Sequence, residues 1–150
     1  MDWTRIFIDL DGTICGETQW DGFVSNSLSL FKGLKWVPPK NIEWSILTSR
    51  PKIDRWLVNA VCWKYNLIPT EIILCDTWLY NFKSTREVAL WKHQVIQNVL
   101  SRTMTNNVIY VDSDPEILQN IPSLTGLQLC NTKAASNLFD NIRRNDGATC

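Results

Sequence analysis

Phe7-Ile8-Asp9-Leu10-Asp11-Gly12-Thr13 is the stretch that decides how this chain is read. Arg5, Ile6, Phe7 and Ile8 form the apolar, β-branched and aromatic run of a buried strand. The run stops on two carboxylates, Asp9 and Asp11, and Gly12 breaks it at once. Side chains alternate along a strand, but a chain leaving the sheet edge can turn both acids into one crevice. In open α/β sheets that crevice lies beyond the carboxyl ends of the strands. Two carboxylates this close repel, and hard oxygen ligands of this kind suit Mg²⁺. The plainer alternative is an acidic turn closing a hairpin or a βα connection, for which Asp-Gly is common.

The rest of the chain alternates in the same way. Ile14 to Gly22 is a polar loop, and Phe23 to Lys32 is an amphipathic helix ending at Gly33. Ile42 to Leu47 is a second strand running into Thr48, Ser49, Arg50 and Pro51. Helical periodicity follows over Ile53 to Tyr65, with Trp56, Leu57, Ala60, Val61 and Lys64 three and four apart. Glu71 to Cys75 is a third strand. Ser84-Thr85-Arg86-Glu87 is a capping box opening a helix to about Arg102. Asn106-Asn107 marks a turn, Val108 to Val111 a fourth strand, and Pro115 the first turn of a short helix to about Asn120. Leu127 to Cys130 is a fifth strand and Ala134 to Arg144 a last helix. The expected fold is α/β: a three-layer, doubly wound, mostly parallel five-stranded sheet with helices on both faces, one domain over residues 1–150.

Composition narrows the function classes. With 15 basic and 15 acidic residues the formal net charge is zero, which gives no field for steering a long polyanion. The five cysteines are odd in number, show no CxxC spacing and follow no signal peptide, so reduced thiols in a cytoplasmic protein are expected. No apolar run reaches membrane-spanning length. Of the 8 tryptophans, Trp3, Trp36, Trp44, Trp56, Trp63 and Trp91 sit among apolar neighbours and are expected in or against the core.

Three strand ends carry polar groups: Asp9 and Asp11, then Thr48, Ser49 and Arg50, then Asp112 and Asp114. Taken singly, Thr48, Ser49, Asp112 or Asp114 could each be a helix cap. In a parallel sheet all of them gather at one edge.

Asp9-Leu10-Asp11-Gly12-Thr13 resembles the Asp-x-Asp-Gly-Thr motif of the haloacid dehalogenase superfamily, which is mostly phosphatases. Ile46-Leu47-Thr48 is similar to its second motif and Val108-Ile109-Tyr110-Val111-Asp112 to its fourth, in the right order between residue 5 and about residue 120. The resemblance implies a Mg²⁺-dependent phosphomonoesterase. Asp9 would attack phosphorus to give an aspartyl-phosphate, and Asp11 would serve as general acid and then base. Thr48 would bond a phosphoryl oxygen, and Gly12 would let backbone N–H groups approach it. The metal ligands would be Asp9, Asp112 and Asp11, the last through its backbone carbonyl. The third motif is a lysine. Lys92, 20 residues before Asp112, is set as in small phosphatases of the polynucleotide 3′-phosphatase type, and Lys83 is its rival. Ser113 departs from the fourth motif, which commonly has adjacent acids.

The insertions after the first and third strands are short, so the resemblance implies a nearly capless, open site. Such a site would admit a large substrate end, or would need a neighbouring subunit of a homo-oligomer as its lid. Arg50 and Ser49 are expected to face a substrate phosphate. Trp20, Trp78 and Tyr80 lie in the rim loops, where rings stack nucleobases or seal small apolar patches. The expected partner is a phosphorylated small molecule, a nucleotide first, or a nucleic-acid phosphate end. The alternative is an inactive module of the same fold that binds a protein or a phosphorylated ligand.

Overall fold

The computed structural model of this chain describes residues 3–16, 29–102 and 104–148. Five strands, β1 (Trp3–Ile8), β2 (Ser45–Pro51), β3 (Ile72–Cys75), β4 (Thr105–Val111) and β5 (Leu127–Cys130), form one sheet in the order β3-β2-β1-β4-β5. Every neighbouring pair is parallel. The chain winds outward from β1 to one edge, returns, and continues from β4 to the other. The order therefore reverses between β1 and β4, and ligands of such sheets bind at the carboxyl ends around that reversal.

Four helices complete the layers: α1 (Arg55–Tyr65), α2 (Thr85–Arg102), α3 (Pro115–Asn120) and α4 (Thr132–Ala148). Strands covered on both faces carry continuous apolar runs, and here each run splits by parity into two cores. Ile6, Ile8, Ile46, Ile109 and Val111 pack with Leu57, Val58 and Val61 of α1 and Ala135 and Phe139 of α4. Phe7, Leu47, Val108 and Tyr110 pack with Val88, Ala89 and Ile96 of α2 and Ile117 of α3. This is the three-layer, doubly wound α/β architecture expected from the sequence.

The differences have physical causes. Asn106-Asn107 is no turn but part of β4, because pairing of Thr4 with Asn107 and Trp3 with Thr105 holds it extended. Thr48, Ser49 and Arg50 lie within β2, which reaches Pro51 beside Cys75 of β3. Trp56 and Trp63 are 66% and 85% exposed, since α1 turns Leu57, Val58, Val61 and Cys62 inward instead. Of the helix expected over Phe23 to Lys32, the described part is a 3₁₀ turn at Ser29–Lys32. Trp36 stacks on Phe139 with centroids 6.2 Å apart and donates its indole N–H to Ser136 Oγ at 2.8 Å, fastening the connection after β1 to α4. Among the described residues no helix is long and apolar enough to cross a membrane.

Candidate functional site

Register brings the acids together. Ile8 pairs with Val111, so the next residues, Asp9 and Asp112, leave the ladder side by side, about one strand spacing (~4.8 Å) apart. The Asp9 amide still donates to Val111 O at 3.0 Å and the Asp112 amide to Cys130 O at 3.1 Å, so both are held by sheet bonds. Parity then sets direction. Asp9 follows Phe7, and Asp112 follows Tyr110, onto the face covered by α2.

The inward stripe of α2 is Val88, Ala89, Lys92 and Ile96, a lysine in the middle of an apolar row. Lys92 is 2% exposed, and its ammonium donates to Asp9 Oδ1 at 2.7 Å, to Asp112 Oδ2 at 3.3 Å and to Tyr110 Oη at 2.6 Å. The Tyr110 hydroxyl in turn donates to Asp112 Oδ2 at 2.6 Å. Burial pulls the Lys92 ammonium down, but Asp9 and Asp112 outweigh it and hold it above its ordinary value. Lys83 is exposed at the start of α2, with its backbone N–H bonded to the Glu87 carboxylate at 2.6 Å. Lys92 is therefore the lysine that meets the acids.

Two buried carboxylates share one ammonium, and the deficit of positive charge shows. Burial, then repulsion from Asp112, against the pull of Lys92, pushes the Asp9 carboxyl up to about 7. Tyr110 is driven well above its ordinary value by burial and by the same acids. This is the setting a small dication would relieve. Among the described residues no group of three or more acidic, His or Cys side chains could hold a metal. The two carboxylates still fit Mg²⁺, which is commonly held by one or two carboxylates with water and substrate oxygens completing its shell.

Asp11 takes a different path. Gly12, at φ 76°, turns the chain back so that the amides of Thr13, Ile14 and Cys15 all donate to Leu10 O at 3.1–3.3 Å. The Gly12 N–H itself donates to Cys15 O at 2.7 Å. The Gly12 amide is thus engaged inside the loop, and the glycine is needed for its positive φ. The Asp11 carboxylate meets Arg50, whose Nη2 donates to Oδ1 at 2.6 Å and whose Nε donates to Oδ2 at 2.9 Å. Arg50 is 2% exposed, and its remaining Nη1 donates to Asp54 at 3.1 Å. Burial lowers the guanidinium, but Asp11 and then Asp54 more than offset this. Arg50, expected to face a substrate phosphate, is buried here with its guanidinium on Asp11 and Asp54.

Thr48 is buried, and its hydroxyl accepts from the Arg50 amide at 3.2 Å, a local turn bond within β2. Ser49 is half-buried beside it. Asp114 is the helix cap weighed from the sequence: its carboxylate accepts from Glu116 N at 2.9 Å, with Pro115 at the first helical position. Trp20 lies outside the described residues.

Sequence reasoning missed three participants. Thr13 donates to Asp9 Oδ2 at 3.0 Å and accepts from Ser113 N at 3.0 Å. Ser113 donates its hydroxyl to Gly12 O at 2.8 Å, and so ties the β1 loop to the β4 loop. Tyr110 could have been found from its position two residues before Asp112, on the same face of a buried strand. No family model, curated protein or solved structure matches the chain.

Proposed function

We propose that this protein hydrolyses phosphate monoesters with Mg²⁺, through an intermediate esterified on Asp9. The observation that carries the reading is the meeting of Asp9 and Asp112 at the sheet reversal, with Lys92 bonded to both. Asp9 offers one oxygen to phosphorus, the ester P–O bond breaks, and the electron pair leaves on the alcohol oxygen, which takes the proton that Asp11 brings to the step as a carboxylic acid. Asp11 then takes a proton from the water that cleaves the acyl phosphate and frees Asp9. Lys92 and Thr13 fix the two oxygens of Asp9, so the attacking atom is oriented before substrate arrives. Arg50 fixes the position of the Asp11 side chain. Mg²⁺, held by Asp9 and Asp112, would supply charge that offsets the phosphate dianion. Support also comes from the resemblance of the first-strand motif to that of the haloacid dehalogenase superfamily.

A second reading has an observation of its own. Both oxygens of Asp11 are occupied by Arg50, which suits a module that binds a phosphorylated ligand without turning it over.

Hydrolysis of 4-nitrophenyl phosphate separates the two. The phosphatase reading expects turnover with Mg²⁺, loss of turnover on chelation, and a loss of at least about a hundredfold in Asp9→Asn, as for removal of a covalent nucleophile. Absence of turnover with this ester, a mononucleotide, a sugar phosphate and a phosphorylated oligonucleotide would favour the binding module.

A further inference from the structure

Trp78 is 67% exposed, a large ring offered to solvent on a connection whose backbone is well tied. Its face is set by Lys52, whose ammonium lies 4.7 Å from the ring centroid and 3.6 Å from Asp76. The Lys52 amide donates to Thr77 O at 2.9 Å, and the Thr77 hydroxyl donates to Leu79 O at 3.0 Å. With the ammonium against one face of the indole, the exposed area lies on the rest of the ring. An exposed Trp held in this way is pre-organised for a flat partner at little entropic cost.

Its place in the fold is informative. Trp78 follows β3, and Lys52 follows β2, so both sit at the carboxyl edge of the sheet, the edge that carries Asp9. Only β2 separates β3 from β1, so the lateral offset from Asp9 to this corner is about 10 Å. That is the scale of the reach from a terminal phosphate across a sugar to its base. Arg50 and Asp11 occupy the ground between, already paired to each other.

We infer that Trp78, backed by Lys52, is the stacking platform for the base of a nucleoside monophosphate whose phosphate lies at Asp9. This rests on the phosphomonoesterase reading for the position of the phosphate. Stacking of bases on aromatic side chains is tolerant of base identity, so the class is nucleoside monophosphates at large. A mononucleotide, and not a strand end, fits the net charge of zero, which supplies no basic track for further phosphodiesters.

Calorimetric titration of the Asp9→Asn protein, in which turnover is expected to be at least about a hundredfold slower, tests the platform. The probes are adenosine monophosphate and ribose 5-phosphate, which keeps the phosphate and sugar but lacks the base. Adenosine monophosphate is expected to bind more tightly by tenfold or more. Adding Trp78→Ala should remove most of that difference, on the order of tenfold, and Trp78→Phe should keep most of it. Trp63→Ala, an exposed ring at the opposite end of α1, should change nothing.

Equal affinity for the two probes, or an unchanged preference in Trp78→Ala, overturns the inference. A phosphorylated oligonucleotide binding more than tenfold tighter than the mononucleotide overturns the choice of ligand. If Trp78→Ala instead dissociates a dimer seen by light scattering and leaves nucleotide affinity alone, the ring is a protein contact and the inference falls. Wild-type turnover is scored separately. Trp78-dependent binding without hydrolysis would sink the phosphatase reading and keep the platform; hydrolysis with an unchanged nucleotide preference in Trp78→Ala would do the reverse.

Discussion

Lys92 is the residue on which the others at the site lean. A lysine with 2% exposure survives in a helix stripe only because Asp9, Asp112 and Tyr110 accept its three protons. Removing it leaves two carboxylates buried side by side with no counter-charge. Lys92→Met keeps the stem and deletes the charge, so it isolates that effect. It should cost roughly 3–5 kcal/mol, the range for breaking a buried ion pair by removing one partner, read from urea unfolding. Adding Asp112→Asn should recover part of the loss, because the repulsion then disappears. A Lys92→Met protein as stable as the wild type would mean that the ammonium does not hold the acids. The sequence pointed to this lysine through its spacing from Asp112. The stronger sign was its place among Val88, Ala89 and Ile96, a row in which a charge must have partners.

At the scale of elements, β1 and β4 are legible because their apolar runs end abruptly on acids, and both cores require those runs to be covered on each face. Where the reading failed, tertiary contacts outweighed local preference. The pair Asn106-Asn107 prefers a turn, yet β1 supplies a ladder that holds it extended. Trp56 and Trp63 are hydrophobic, yet they stand seven residues apart on the side of α1 opposite Leu57, Val58, Val61 and Cys62. A helical wheel drawn on that aliphatic row would have placed them outward. The loop after β4 was harder, since Ser113 and Asp114 are both ordinary cap residues and only the fold tells them apart. Asp114 starts α3, whereas Ser113 bonds Gly12 O across to the β1 loop. Ser113→Ala and Asp114→Ala should therefore each cost about 1 kcal/mol of stability. Their effects on turnover should diverge. Ser113→Ala loosens the spacing of Asp9 against Asp112 and should lower kcat by roughly tenfold, while Asp114→Ala should stay within about twofold, displacements near reacting atoms being costly. Equal effects on kcat would remove the distinction between bridge and cap.

For the molecule as a whole, the arrangement ties stability to pH, and the proposed Mg²⁺ would couple to the same carboxyl. The folded-state value of the Asp9 carboxyl is about 7, above the 3.8 of an ordinary Asp. Between those values the folded protein keeps a proton that the unfolded chain has released. Stability therefore falls as pH rises through that window and levels off above 7, a loss on the order of a few kcal/mol. Asp9→Asn has no such proton, so its melting temperature in chelator should decline less from pH 5 to pH 7.5 than that of the wild type. A dication between Asp9 and Asp112 binds the deprotonated form, so its stabilisation must grow as the proton leaves. At a concentration a hundred times its dissociation constant, Mg²⁺ adds about 2.7 kcal/mol, which for a chain of this size raises the melting temperature by roughly 5–10 °C. That rise is expected at pH 7.5, should shrink markedly at pH 5, and should vanish in Asp112→Asn. A Mg²⁺ shift of equal size at both pH values, or one that persists without Asp112, would place the ion elsewhere and detach it from the charge deficit at the sheet reversal. The sheet itself sets the spacing of Asp9 and Asp112, and a dication bound there would offset the negative charge that Lys92 alone leaves on the pair.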